Sequence, residues 1–170
     1  MKKVIFVLNG PNLNLLGERE PEIYGHTTLA EIKEMCASRT KAHGLGLDFR
    51  QTNFEGNLIE SVHEARKAAA GIIINPAGLT FTSIALLDSL KMFDGPKIEL
   101  HVSNIHQREA IYHNSLVSRT ATAVMAGLGP GGYGIAVDAM AMLLQSFLIT
   151  QTANFETPSR SIPKSALGPR

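Results

Sequence analysis

Five consecutive apolar residues, Val4-Ile5-Phe6-Val7-Leu8, stop abruptly at Asn9-Gly10-Pro11-Asn12. A short run without polar alternation is the mark of a strand buried on both faces, and such strands belong to parallel sheets. The pattern then repeats. Thr27 or Thr28 caps a helix that reaches about His43, with Glu31 as the acidic partner of a capping box, and Gly44 and Gly46 end it. Leu47–Thr52 alternates and reads as a second strand, at an edge. A helix from Asn57 to Ala69 follows, then a strand from Gly71 that leaves at Asn75-Pro76, a helix from Ser83 to Phe93 and a strand over Lys97–Val102. A short strand within Ala121–Gly127 and a long Ala-, Met- and Leu-rich helix from Tyr133 to Ile149 complete the series. Strands alternating with helices require a parallel sheet covered on both faces. Five strands favour the flavodoxin-like order 2-1-3-4-5. Residues 1–150 read as one domain, and residues 151–170, with three of the eight prolines, as a tail or an arm on a neighbouring subunit.

Composition narrows the function classes. With 170 residues, 44% hydrophobic and 18% charged, the chain can bury a sizeable core. A net charge of +1 gives no reason to expect a nucleic acid or an acidic membrane surface as partner. The single cysteine, Cys36, lies in a helical pattern and reads as a packed residue. No apolar run approaches the roughly 18 residues of a membrane span. Met1-Lys2-Lys3 leads directly into the first strand, too short for a signal sequence, so a cytoplasmic location is the expectation. The histidines at 26, 43, 63, 106 and 113 have no ligand spacing, and no metal is expected. Met125, Met140 and Met142 are expected in the core.

Ligands of open parallel sheets bind beyond the carboxyl ends of strands, so the residues leaving those ends are the candidates for chemistry. After the first strand come Asn9, Asn12, Arg19 and Tyr24. A tyrosine beside a cation becomes more acidic and can serve as a base, although a loop packed by its own Tyr fits the spacing equally well. Asn9-Gly10-Pro11-Asn12 also fits a plain Asx turn. Asn75 leaves the third strand, and Arg108 with Tyr112 follows the fourth. Glu99 and His101 lie two apart on that fourth strand and share a face. A carboxylate beside an imidazole fixes its tautomer and supports its cationic form, which suits a general acid. A solvated pair on an edge strand is the blander alternative, and the flanking Ile98 and Leu100 place the strand centrally instead. Gly127–Gly134 superficially resembles a phosphate loop. It lacks the Lys-Ser/Thr of one, and a tight turn into the last helix is expected there.

These motifs together resemble the type II 3-dehydroquinate dehydratases. The resemblance runs through Leu8–Gly17, Arg19–Gly25, Gln51-Thr52-Asn53, Glu55-Gly56, Ile73–Pro76, Thr82-Ser83, Asp88 and Glu99–Glu109, in order over about residues 1–150. It implies a flavodoxin-like subunit, a dodecamer built of trimers, and neither metal nor organic cofactor. It also implies roles on a small carboxylate substrate. Tyr24 would remove a proton α to the ketone, with Arg19 and nearby Arg108 keeping it ionised. Asn12 would hold a water against the enolate oxygen. His101, oriented by Glu99, would protonate the departing hydroxyl. Asn75 and the backbone amides of Val102 and Ser103 would hold the carboxylate, with Asp88 and positions 81 and 112 completing the substrate-binding set.

Departures from the family are concentrated at that last set. Family members carry Gly-Ala-Tyr-Thr-His-Thr-Ser after Asn-Pro, where this chain has Ala77-Gly78-Leu79-Thr80-Phe81-Thr82-Ser83. A further Arg of the family is Tyr112 here, a His is Phe54 and an Arg is Leu87. Positions 81 and 112 bind ring hydroxyls in the family, and in this chain both are aromatic. Three functions are therefore consistent with the sequence: a 3-dehydroquinate dehydratase with altered hydroxyl contacts, a sister enzyme acting on a less hydroxylated keto acid, or a non-catalytic binding protein. The intact set Asn12, Arg19, Tyr24, Glu99 and His101 speaks against the last and makes the first the expectation.

Overall fold

The computed structural model describes residues 2–18 and 26–155, the segment 147–155 as backbone alone. Its elements are β1 (Val4–Asn9), α1 (Leu29–Ala42), β2 (Gly46–Gln51), α2 (Glu55–Ala68), β3 (Ala69–Asn75), the single turn α3 (Leu79–Thr82), α4 (Ile84–Lys91), β4 (Lys97–His101), β5 (Ala123–Ala126) and α5 (Gly132–Phe155). The strands form one sheet in the order β2-β1-β3-β4-β5, and every pairing is parallel. This is the expected flavodoxin-like arrangement, with β4 inside the sheet and β2 at its edge.

Strand side chains alternate between two cores. Ile5, Val7, Ile73, Ile98 and Leu100 pack on one face against Ile32 and Cys36 of α1 and Tyr133, Val137 and Met140 of α5. Phe6, Leu8, Ile72 and Ile74 pack on the other against Leu58 and Val62 of α2 and Leu86 and Leu90 of α4. Apolar residues on both faces explain why these strands read as continuous runs. The capping box at α1 forms as expected: Thr28 Oγ1 accepts the Glu31 N–H at 3.3 Å, and the Glu31 carboxylate accepts the Thr28 N–H at 2.7 Å. Cys36 is fully buried, and burial pushes its thiol up to about 12, as befits a packed residue.

Three local readings are corrected. Ser83 does not open a helix that reaches Phe93; it caps α4 by accepting the Leu86 N–H, and the preceding turn α3 stands apart. The last helix continues past Ile149 to Phe155. Met142 is 68% exposed, on the outer side of α5, whereas Met140 is buried and Met125 packs at the core margin. A helix rich in apolar residues all round hides which face is covered, so periodicity could not separate the two methionines.

Strand order reverses between β1 and β3, and there the loops that follow them separate into a crevice. Gly10 fixes their approach. Its N–H donates to the Asn75 carbonyl at 2.8 Å, and a Cβ at this position would lie 2.5 Å from the Pro76 oxygen. Two residues on, Ala77 adopts φ +50°. That left-handed conformation suits glycine, while the next residue, Gly78, has the ordinary helical φ of −62° with open space around its Cβ position. The exchange Ala77→Gly with Gly78→Ala should therefore raise stability by about 1–2 kcal/mol by relieving the left-handed strain, since the unfolded chain keeps one glycine and one alanine. Urea denaturation of the two proteins checks this, and a less stable double variant would contradict it.

Candidate active site

The crevice is a cleft of about 240 Å³ between the segments after β1, β3 and β4. Of the candidate residues, Asn12, Asn75, Phe81, His101, Val102, Ser103, Arg108 and Tyr112 all line it. Arg19 and Tyr24 lie outside the described residues. Asp88 does not line this cleft. It sits on the outer side of α4 with its side chain 65% exposed, 3.1 Å from Lys91 Nζ, because its helix turns Leu86 and Leu90 toward the core instead. Its assignment to the substrate-binding set gains no support from the cleft of its own chain.

The floor of the cleft is a buried hydrogen-bonded cluster around one carboxylate. Glu99 is fully buried and accepts bonds at both oxygens: from His101 Nε2 at 2.8 Å, Thr80 Oγ1 at 2.5 Å and Ser115 Oγ at 2.8 and 3.0 Å. Burial alone would push the Glu99 carboxyl up. The bonds from His101, Thr80 and Ser115 outweigh it and hold the group below its usual range. An ionised carboxylate only accepts, so the hydrogen facing it belongs to His101 Nε2. Nδ1 is then the ring nitrogen left for the cleft. Thr80 and Ser115 were not singled out from the sequence. Thr80 lies inside the altered segment after β3, and Ser115 follows a stretch of short 3-10 turns with no periodic signal.

A second network ties the loop ends together. Asn12 adopts φ +69°, a conformation that Asn tolerates, and its N–H donates to Asn53 Oδ1 at 2.9 Å. Gln51 Nε2 donates to the same oxygen at 2.9 Å and to the Gly10 carbonyl at 3.3 Å. The segment after β2 thus braces the turn that presents Asn12.

One wall is aromatic. The Phe81 ring stacks on His101 with centroids 6.3 Å apart and an interplanar angle of 18°. Tyr112 meets Phe81 edge-on at 5.3 Å. The Arg108 guanidinium lies 5.5 Å above the Tyr112 ring and donates to Ser103 Oγ at 2.8 Å. Among the described residues no group of His, Cys, Asp and Glu could hold a metal ion, and no helix is long and apolar enough to cross a membrane.

A cleft at the strand-order switch with a carboxylate–imidazole pair in its floor suits removal and return of protons. The family model for dehydroquinase class II matches residues 3–141. The chain belongs to this family. A 3-dehydroquinate dehydratase of Cereibacter sphaeroides is 53% identical over 137 residues, covering 81% of this chain and 93% of the relative. The 3-dehydroquinate dehydratase 2 of Pseudomonas putida is 53% identical over 145 residues, covering 85% and 97%. Among solved structures, a type II dehydroquinase from Propionibacterium acnes superposes with a TM-score of 0.80 at 41% identity, covering 84% of this chain and 98% of that one. The resemblance drawn from the motifs is thereby borne out for family and fold. The cleft of this chain thus combines a buried Glu99–His101 pair with an aromatic wall.

Proposed function

We propose that this chain is a hydro-lyase that removes water from 3-dehydroquinate through an enolate to give 3-dehydroshikimate. The single observation that carries the site chemistry is the Glu99–His101 pair, buried at the cleft floor and fully satisfied by Thr80 and Ser115. Membership in the dehydroquinase family supports the substrate. The α-proton of a ketone is weakly acidic, so its removal needs a base and a stabilised enolate, and hydroxide leaves only with a proton. Tyr24, made acidic by Arg19 and Arg108, takes the α-proton. Asn12 holds a water against the enolate oxygen. His101 protonates the leaving hydroxyl, and Glu99 balances the charge that the ring carries beforehand. Asn75 and the amides of Val102 and Ser103 hold the carboxylate. No metal or organic cofactor enters this scheme. The test is turnover of 3-dehydroquinate, followed by the absorbance of the conjugated enone. Formation of the enone supports the proposal; its absence with folded, oligomeric protein would overturn it.

A second reading, a less hydroxylated keto acid as the preferred substrate, is favoured by the Phe81–Tyr112 wall. The protein acts as a homo-oligomer, a dodecamer built of trimers, in the cytoplasm, with residues 1–150 as its catalytic domain and 151–170 as a tail or arm. Exposed apolar side chains such as Ile135 and Met142 on α5 support assembly. Light scattering at micromolar concentration should give an oligomer, and a monomer would contradict this assignment.

A further inference from the structure

We infer that Tyr133 is a positioning residue that sets which way the Asn75 side-chain amide faces, so that the cleft receives an N–H instead of a carbonyl. The inference rests on the reading of Asn75 as a carboxylate-binding residue. Tyr133 opens α5, far from the cleft in sequence, and its side chain is fully buried beneath the exits of β1 and β3. Its hydroxyl stands between two buried asparagines. It donates to Asn9 Oδ1 at 2.6 Å and accepts from Asn75 Nδ2 at 3.1 Å.

The polarity of this chain of bonds is fixed at both ends. At one end Asn9 faces the Arg50 backbone carbonyl at 2.9 Å. A carbonyl only accepts, so Asn9 must present Nδ2 there and Oδ1 to Tyr133. The phenol then donates to Asn9 and has a lone pair left for Asn75, which must present Nδ2. At the other end Asn75 Oδ1 accepts the Ala77 backbone N–H at 3.2 Å, a group that only donates. Both ends demand the same amide orientation. The second Nδ2 hydrogen of Asn75 is then left for the cleft that this residue lines. Burial raises the pKa of the Tyr133 hydroxyl, which keeps it protonated and able to donate. Without the phenol oxygen, only the Ala77 bond distinguishes the two amide orientations. The flipped one sets a carbonyl oxygen against a carboxylate.

A double-mutant cycle on the full-length protein separates positioning from packing. Tyr133→Phe keeps the ring and deletes the oxygen. With 3-dehydroquinate as substrate, it should raise KM roughly tenfold or more, the size of one hydrogen bond to a charged group, with a smaller change in kcat. In an Asn75→Ala background the same change should move KM by less than about twofold, since no amide remains to orient. An equal rise in both backgrounds would mean general loosening and overturn the inference. An Asn75→Ala variant with raised KM beside a Tyr133→Phe variant with unchanged KM would overturn the inference alone. An unchanged KM in Asn75→Ala would overturn the carboxylate reading and the inference with it. Should Tyr133→Phe not fold, 3-fluorotyrosine placed at position 133 weakens acceptance from Asn75 while preserving donation to Asn9. A KM rise confined to the protein that retains Asn75 is then expected, and a rise in both backgrounds or in neither overturns the inference.

Discussion

Replacing His101 with Ala should lower kcat on 3-dehydroquinate by about 10²–10⁴-fold, the usual contribution of a positioned general acid. The imidazole lines the cleft and couples it to the buried carboxylate through the 2.8 Å bond to Glu99. Removing it leaves the leaving hydroxyl without a proton source and leaves Glu99 short of one hydrogen-bond donor. Glu99→Gln should cost less activity. The amide keeps the shape of the cluster and still accepts at one oxygen, but its NH₂ faces groups that the carboxylate had accepted from, and the charge that balances a protonated His101 is gone. Steady-state rates of the two variants order the roles. A Glu99→Gln loss far larger than that of His101→Ala would contradict the assignment of His101 as acid and Glu99 as its support.

The second large effect concerns the aromatic wall. Phe81 cannot hydrogen-bond, and Tyr112 cannot supply the cationic fork of an arginine. A substrate hydroxyl left desolvated and unpaired costs about 1–3 kcal/mol. Two such losses weaken transition-state binding by roughly thirtyfold to 25,000-fold. The double change Phe81→His with Tyr112→Arg should therefore raise kcat/KM on 3-dehydroquinate by about tenfold or more. The structure bears on how this happens. Phe81 stacks on His101, and Tyr112 sits between Phe81 and the Arg108 guanidinium, so the two substitutions replace one continuous wall and belong together. Tyr112→Arg alone would leave Phe81 without its edge-on ring partner. Kinetics of both proteins on 3-dehydroquinate decide the matter. An efficient unmodified enzyme and a slower double variant would show that other residues recognise the hydroxyls.

Fold and site were legible to different degrees for physical reasons. The parallel sheet was legible from strand segments alternating with helices, runs such as Val4–Leu8 and Ile72–Ile74 being too short for most helices and buried on both faces, and its order from the count of five strands. Glu99 and His101 were legible because a strand places alternate residues on one face. Thr80 and Ser115 were not, since they reach Glu99 from a single helical turn and from a segment of 3-10 turns, and neither has a period to read. Tyr133 was read only as the start of a helix. Its meeting with Asn9 and Asn75 depends on how α5 crosses the sheet, which is a property of the packed core. Met142 shows the converse error: residue type suggested a place in the core, and the helix face that carries it points outward.

The most direct measurement of the proposed chemistry is exchange of the substrate's α-proton with deuterated water, followed by NMR in the His101→Ala and Tyr24→Phe variants. If Tyr24 is the base and His101 a separate acid acting after an enolate has formed, His101→Ala should exchange the proton while releasing almost no enone, and Tyr24→Phe should do neither. Exchange that persists in Tyr24→Phe, or is lost in folded His101→Ala, would contradict the division of labour between these two residues.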